Sequence, residues 1–484
     1  MSKTNILIPK AGLWLGPIVF AVMVVGTDMQ SMMPVSAWLV AALALWMALW
    51  WATEAVPVAV TAFLPLICLP IFGDASVKTV SQTYAHPTLF LFLGAFILAL
   101  AVEKWSLHRR IALVVLLRTG TDGRKLIFGF MVAAALLSMW MTNTSTAMML
   151  LPIATSVAAM MVEKADGVAH SDKRAFQIAL LLALAYATTI GGMATLIGTP
   201  PNVLLAGFVE ETYGYSIAFF DWMLIGLPLT VLLLPLGWLV LTRMAFRVNI
   251  PANPEVWKML QTMRADLGPM SRAQQRVAAV FLTVVFLWMT RGWISDRTGV
   301  SGLSDAGIVM AAALLLFAAP SGEDDAGRLM TWEDLIRLPW GVLILFGGGL
   351  ALAAAVSDSG LAVWLGESLL PLISWGVVLL VIASAGLVML LTEMTSNLAT
   401  TATFLPVIAA LAAQSGIEPL VLCVPVTLAA SCAFMLPVAT PPNAIVFSSG
   451  LMSIPQMIRA GFLMNVVALL AVTILAVFLV PEVF

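Results

Sequence analysis

The chain has 484 residues, 61% of them hydrophobic and only 10% charged, with a formal net charge of −2. Soluble proteins carry about a quarter charged residues, so this composition excludes an ordinary water-soluble enzyme, and no nucleic-acid partner is expected. Apolar runs of membrane-spanning length recur from end to end, and the ~10-residue alternating segments of a transmembrane β-barrel are absent. The expected fold class is therefore all-α: a polytopic membrane protein.

In chain order, Lys3 and Lys10 precede the first apolar stretch. No small-residue cleavage site follows, so that stretch reads as a first transmembrane helix rather than a signal peptide. Spans are expected at 12–28, 36–52, 55–72, 84–117, 175–209, 220–246, 276–293, 305–319, 338–357, 420–450 and 460–481, eleven in all. The 84–117 segment is too long to be straight and carries the charged patch Glu103–Arg110. Segments 175–209 and 420–450 are also too long, and Pro and Gly interrupt them.

Two further regions, 126–162 and 373–413, consist of apolar halves around a polar middle. A half of ~17 residues barely spans a ~30 Å hydrocarbon core, so each region reads as a re-entrant hairpin. Arg118, Arg124, Lys125, Lys173 and Arg174 flank the first hairpin, and six basic residues, Arg243 to Arg276, mark the polar connection 243–276. The positive-inside rule makes these loops cytoplasmic. Asp28, Asp74, Glu210, Glu211, Asp358 and Glu367 fall on the opposite side. The N-terminus is then cytoplasmic and the C-terminus outside. One loop departs from the pattern: 321–337 should be inside, yet it carries Glu323, Asp324, Asp325, Glu333 and Asp334.

Cys68, Cys423 and Cys432 lie in apolar segments without a C-x-x-C pair, and His86, His108 and His170 are scattered. Neither a disulfide framework nor a histidine metal site is implied. There is no Walker loop, H-E-x-x-H or G-x-S-x-G motif, so neither ATP hydrolysis nor an intramembrane hydrolase is expected.

The chain matches itself. At a shift of 254, "FLGAFILALAVEKWSL" (92–107) overlays "FGGGLALAAAVSDSGL" (346–361), and "TNTSTAMMLLP" (142–152) overlays "SNLATTATFLP" (396–406), pairing Asn143 with Asn397. Further on, "GTPPNVLL" (198–205) answers "ATPPNAIV" (439–446) at a shift of 241. By the topology above the copies start on opposite sides of the membrane. Such an inverted repeat is characteristic of secondary transporters with a site near the midplane.

Four motifs carry the chemistry: Thr142-Asn143-Thr144, Ser396-Asn397, Gly198-Thr199-Pro200-Pro201-Asn202 and Ala439-Thr440-Pro441-Pro442-Asn443. A Pro-Pro pair removes two backbone donors and pushes the preceding residue out of helical geometry. Irregular backbone at membrane depth persists only when buried in protein or lining a cavity. Half-helix N-termini attract anions, while exposed carbonyls and side-chain oxygens suit Na⁺. None of the four motifs contains Lys or Arg. Transfer of one ion to low dielectric costs of order 20 kcal/mol on an idealised Born estimate, so an anion there needs cations beside it.

Blander readings exist for individual residues. Membrane Ser and Thr often bond back to their own helix or join neighbouring helices. Asn143-Thr144-Ser145 is a formal glycosylation sequon, but lies at membrane depth. Glu54 reads as an interfacial turn residue, the role of Glu393 stays open, and most of the 16 Trp residues read as belt and packing residues.

With these motifs in view the chain resembles the divalent anion–sodium symporter family, which includes the INDY-type dicarboxylate transporters. "WWATEAVPVAVTAFLP" (50–65) is similar to the family's early segment. "ASCAFMLPVATPPNAIV" (430–446) fits its signature through Ser431, Phe434, Pro437 and Asn443, and the hairpin tips resemble its paired Ser-Asn-Thr motifs. The resemblance implies a homodimer in the inner or plasma membrane, with a scaffold and a transport domain that moves like an elevator. On this chain it implies N-terminal scaffold helices at 1–83, a first repeat at 84–248, a cytoplasmic linker at 249–275, second scaffold helices at 276–337 and a second repeat at 338–484. One Na⁺ site would use Ser138, Thr142, Asn143 and Gly198; the other Thr392, Ser396, Asn397 and Ala439. Substrate would contact Asn143, Thr144, Thr199, Asn397, Thr440 and Pro441.

Two positions depart from the pattern. Thr142 replaces a Ser and keeps its oxygen; Leu398 replaces a Thr and loses a hydroxyl. A hydrogen bond to a charged group is worth about 1.5–3 kcal/mol, enough to change which anion fits. The leading expectation is Na⁺-coupled symport of a dianion such as succinate, malate or fumarate, with no organic cofactor. A dicarboxylate or tricarboxylate exchanger and a sulfate-type symporter are the alternatives.

Overall fold

Helices satisfy their backbone groups internally, and that is the requirement a bilayer imposes. The structure, a computed structural model, describes residues 4–27, 30–31, 33–73, 75–163, 168–300, 302–323, 327–368, 371 and 376–484. Lys3, Asp28, Asp74, Asp324, Asp325 and residues 373–375 of the second expected hairpin lie outside the described residues.

The first part holds α1 (Thr4–Val25), α2 (Val35–Thr53), α3 (Val58–Thr61), α4 (Leu64–Phe72) and α5 (Val77–Thr83). Next come α6 (Pro87–Lys104), α7 (Leu107–Thr119), α8 (Gly123–Ser138), α9 (Asn143–Glu163), α10 (His170–Met193), α11 (Pro200–Tyr213) and α12 (Phe219–Leu239). A π-helical turn, Val240–Ala245, ends α12. The middle consists of α13 (Pro254–Asp266), α14 (Arg272–Thr298) and α15 (Asp305–Ala318). Then the order of α6 to α12 recurs as α16 (Trp340–Asp358), α17 (Leu361–Ser368), α18 (Val377–Thr392), α19 (Asn397–Ser415), α20 (Pro419–Ser431), α21 (Pro441–Phe447) and α22 (Ile454–Phe478), before a short α23 (Val480–Val483). The internal repeat is thus matched element by element.

Among the described residues nine helices, some of them joined, are long and apolar enough to cross a membrane. Both α9 and α19 are in that set, whereas the expected spans at 55–72, 305–319 and 420–450 are realised by shorter helices.

Two segments, 55–72 and the linker 249–275, differ from their sequence-based expectation, and a third, 84–117, is interrupted as its length and charged patch imply. Segment 55–72 is not one span but two short helices, α3 and α4, interrupted at Ala62–Phe63. The Tyr84 hydroxyl donates to the Ala62 carbonyl, and Gly348 of α16 lies so close to that oxygen that a Cβ would collide with it. Segment 84–117 is broken at Trp105–Ser106, where Ser106 takes a left-handed φ of 54°. The linker 249–275 contains α13, which packs on α7 and α9. Its apolar residues Val256 and Leu260 are buried while neighbouring Trp257 is exposed. This one-sided helix falls outside any search for continuous apolar runs.

The charged patch at the α6–α7 break explains the loop that departed from the positive-inside pattern. Lys104 Nζ pairs with Asp334 Oδ2 at 2.7 Å, and Arg337 pairs with Glu103. Arg110 donates to the carbonyls of Leu267, Gly268 and Pro269 and to Gln274 Oε1, and Glu323 Oε1 accepts from Ala273 N at 3.4 Å. Loops 103–110, 267–276 and 320–337 are therefore gathered at one end. Of the described acids in that loop, Asp334 is engaged by Lys104 and Glu323 by the start of α14, and acidic residues weigh little in that rule.

Partial burial alone would raise the Asp334 carboxyl. Lys104 and the Thr331 N–H and hydroxyl outweigh it and hold the group below the ordinary carboxylate range. Its contribution to stability is then complete above that range and lost as pH falls through the lowered value. Asp334→Asn should therefore lower the melting temperature in detergent at pH 7. The gap to the native protein should narrow below about pH 3.9, the unperturbed value; an equal gap at both pH values would contradict the pairing.

Candidate functional site

The two T-P-P-N motifs begin half-helices in the same way. Thr199 (φ −143°, ψ 141°) precedes α11 and Thr440 (φ −142°, ψ 151°) precedes α21. Each is extended because a proline follows it, and proline disfavours helical geometry in its predecessor. The breaks run from Ala194 to Thr199 and from Cys432 to Thr440. Their carbonyls need partners at membrane depth, and the motif asparagines supply them. Asn202 Nδ2 donates to Gly192 O (3.3 Å) and Thr195 O (2.9 Å). Asn443 Nδ2 donates to Ala433 O and Leu436 O, both at 3.0 Å. All of these pairs obey the shift of 241. In both asparagines Oδ1 is buried without a partner.

The hairpin tips repeat as well. Ser138 Oγ donates to Asn143 Oδ1 at 2.6 Å, and Thr392 Oγ1 donates to Asn397 Oδ1 at 2.8 Å. Here the shift is 254: a hydroxyl closing one helix orients the asparagine opening the next. Thr392 Oγ1 also lies 2.7 Å from Ala430 O, tying the second tip to the end of α20. The first tip is tied to the first break by a different bond, from Thr195 Oγ1 to Met139 O at 2.6 Å.

The first tip and the first break meet at Gly192. A Cβ there would stand 2.7 Å from Asn143 Oδ1 and 3.1 Å from Gly198 O, so both oxygens border one point. Gly198 in turn leaves no room for a Cβ against Gly192. With Ser138 Oγ on the same asparagine, three of the four expected ligands of the first ion site are brought together. Thr142, the fourth, accepts from Ser145 N at 3.2 Å and donates to Ser145 Oγ at 3.0 Å, so it also caps the start of α9.

At the second site Thr392 and Asn397 are joined directly. Ser396 is the N-cap of α19 without a side-chain capping bond, and Ala439 is buried at the end of the break, beside Thr440. Of the expected substrate residues, Thr199 and Thr440 are buried, Thr144 and the two tip asparagines are partly exposed, and Pro441 is exposed. Leu398 is packed in the core at 5% exposure.

The repeats interlock: α21 packs against α9 and α10, and α11 packs against α19 and α20. Each half-helix therefore packs against a hairpin helix of the other repeat. Among the described residues no group of three or more His, Cys, Asp or Glu side chains forms a metal cluster. The oxygens that converge here are amide, hydroxyl and carbonyl, a donor set for a hard monovalent cation.

Sequence reasoning left Glu393 open, and the structure gives it a role. Its carboxylate is 1% exposed and accepts from Phe434 N, Met435 N and Leu436 N at 2.9–3.0 Å, and from Asn465 Nδ2 at 2.8 Å. Tyr186 Oη donates to Phe434 O at 2.9 Å on the same loop. The charge of Glu393 is met by three backbone N–H groups that Pro437 and the break leave without helical partners. At a shift of 254 its counterpart is Met139. The available signal was a lone acid at membrane depth, which reads as functional by default. Asn465, a lone amide in apolar α22, was missed for want of any motif.

Comparison with known proteins now bears on this geometry. The family model described as "Sodium:sulfate symporter transmembrane region" matches residues 12–481. The chain belongs to that family. Similar relatives agree: it is 40% identical over 479 residues to the sodium-dependent dicarboxylate transporter SdcS of Staphylococcus saprophyticus, covering 98% of this chain and 91% of that one. SdcS of Staphylococcus aureus is 40% identical over 474 residues, covering 97% and 91%. Family membership makes the chain a sodium-coupled anion transporter of the membrane, not an enzyme.

Among solved structures it is similar to MtrF of Neisseria gonorrhoeae, from a class of antimetabolite efflux pumps, with a TM-score of 0.58 at 14% identity, covering 84% of each chain. The YdaH transporter of Alcanivorax borkumensis also gives 0.58, at 16% identity, covering 89% of this chain and 97% of that one. At such identities the likeness is one of fold.

Glu393→Gln offers an amide N–H₂ where only acceptors fit the loop donors. Charge-assisted hydrogen bonds are worth about 1.5–3 kcal/mol each, so the variant should melt several degrees lower and respond to sodium with a smaller rise in melting temperature. Thermal unfolding in detergent with and without Na⁺ measures both effects. An unchanged sodium response would restrict Glu393 to holding the fold.

Proposed function

We propose that this transporter couples inward Na⁺ movement to uptake of C4-dicarboxylates such as succinate, malate or fumarate. The observation that carries the reading is the pair of asparagine-centred clasps, Ser138–Asn143 and Thr392–Asn397, set beside half-helix starts in a region without Lys or Arg. The substrate class is supported by the printed names of the 40%-identical relatives.

In this reading one Na⁺ is held by Ser138, Thr142, Asn143 and the Gly198 carbonyl, and another by Thr392, Ser396, Asn397 and the Ala439 carbonyl. The dianion lies between the two tips. Asn143 and Thr144 bind from one side, Asn397 from the other, and Thr199, Thr440 and Pro441 line the half-helix starts. The cations offset a charge that hydroxyls and amides solvate without neutralising. A half-loaded site therefore resists crossing while the empty, uncharged site can return, and binding of anion and cation becomes linked.

The elements divide accordingly. The scaffold is built from the N-terminal helices with α14 and α15, to which α6 and α16 attach: α6 packs along α15 and α14, and α16 on α2 to α5. The two hairpins and two broken helices form the transport domain, which moves as an elevator between the faces of the plasma membrane. The loops carrying Arg243 to Arg276 face the cytoplasm, with the N-terminus inside and the C-terminus outside, and two copies associate as a homodimer.

Proteoliposomes test the coupling. With an inward Na⁺ gradient and no internal substrate, labelled succinate should accumulate, and replacing Na⁺ by choline should abolish uptake. Uptake that requires preloaded internal dicarboxylate, with or without Na⁺, would establish the exchanger instead. Leu398→Thr restores a hydroxyl at the start of α19 and should change the ranking among succinate, malate, fumarate and sulfate while leaving the sodium requirement intact. An unchanged ranking in competition assays would remove Leu398 from the determinants of selectivity.

A further inference from the structure

Away from the ion-binding tips, the end of α12 opens into a cleft of about 490 Å³ lined by Arg124, Asp172, Thr242, Arg243, Arg247 and Asn249. Three arginines and one aspartate line it, a formal excess of two positive charges. Arg243 and Arg247 are exposed and make no ion pair or hydrogen bond in the structure. Arg124 uses Nε to hold Val248 O at 2.8 Å, which leaves its terminal nitrogens available. Asp172 forms no ion pair with any of the three. Unpaired guanidinium groups that share a cleft repel one another, and a tetrahedral oxyanion relieves this while accepting bidentate hydrogen bonds.

The approach to the cleft is apolar. Val231, Leu232 and Leu239 on α12, and Met244 in its π-helical turn, are all exposed, and they lead along the helix to Arg243 and Arg247. A hydrocarbon-facing strip ending in a basic cleft matches the two chemistries of an anionic phospholipid, and basic pockets between membrane helices take such headgroups.

We propose that this cleft is a phosphate-binding site whose occupant is an anionic glycerophospholipid of the phosphatidylglycerol type. The phosphate sits among Arg124, Arg243 and Arg247, the headgroup hydroxyls donate to Asp172, and the acyl chains lie along the exposed strip of α12. A bound lipid would fasten the segment 240–249 to the N-terminal end of α8. That end is already joined to the segment through Gly123 N to Ile250 O at 3.1 Å.

Native mass spectrometry of the purified full chain, titrated with phosphatidylglycerol and with phosphatidylcholine of the same acyl chains, tests this. Phosphatidylglycerol should be retained in preference, and Arg243→Gln with Arg247→Gln should reduce its apparent affinity roughly tenfold or more. The double variant Arg118→Gln with Arg264→Gln, in a separate basic cleft on α7 and α13, should leave it unchanged. The single change Arg247→Gln, on an exposed residue beyond the helix, should give a several-fold loss should the double variant fold poorly. Inorganic pyrophosphate in a thermal-shift assay separates the sources. Stabilisation that depends on Arg243 and Arg247, without Arg-dependent retention of lipid, keeps the phosphate site and assigns it to a soluble anion. Loss of lipid retention equally in the Arg118/Arg264 variant, or no effect of Arg243 and Arg247 on either ligand, overturns the proposal.

Discussion

A backbone that stops being helical inside a membrane leaves N–H and C=O groups that water cannot serve. This constraint organises the protein. Pro200-Pro201 and Pro441-Pro442 force the breaks, and Asn202 and Asn443 close them by donating to two loop carbonyls each. Glu393 takes the three N–H groups of Phe434, Met435 and Leu436. Without these ties the loops would have to fill with water or refold as helix, and the carbonyl at Gly198 would lose its place beside Asn143. What remains after this internal satisfaction is a few oxygens whose hydrogen-bonding capacity is not used up, among them Asn202 Oδ1 and Asn443 Oδ1.

The hairpin tips show how such capacity is retained. An amide oxygen accepts two bonds, and in Asn143 and Asn397 one comes from the preceding hydroxyl. The hydroxyl fixes the direction of the amide without exhausting it. Glycine at 192 admits Asn143 Oδ1 of the first tip and Gly198 O of the break, and glycine at 198 lies directly against Gly192, so that a Cβ at either position would collide. The geometry of that cradle is therefore set largely by backbone, and less by rotamers that thermal motion could change.

Much of this was legible in the sequence because it was written twice. Asn143 with Asn397, and the two T-P-P-N turns, appeared at constant shifts, and the structure gives each pair the same hydrogen bonds. The break at Trp105–Ser106 was expected from the charged patch and excessive length. What escaped lacked either a repeat or a continuous apolar run. Helix α13 buries Val256 and Leu260 on one side only. Segment 55–72 reads as one apolar run, yet it is interrupted at Ala62, where the Tyr84 hydroxyl takes the freed carbonyl and Gly348, distant in sequence, packs against it. Glu393 and Asn465 meet across 72 positions, a partnership no local pattern encodes.

Position 393 also marks where two copies of one ancestral design have parted. Its counterpart, Met139, offers only a backbone carbonyl to Thr195, so one half is fastened by a neutral contact and its twin by a buried anion. A buried carboxyl group next to Thr392, holding three backbone N–H groups and Asn465, has no equivalent in the first half. Duplication made two matching halves, and this one difference gives each its own way of holding the loop beside its tip.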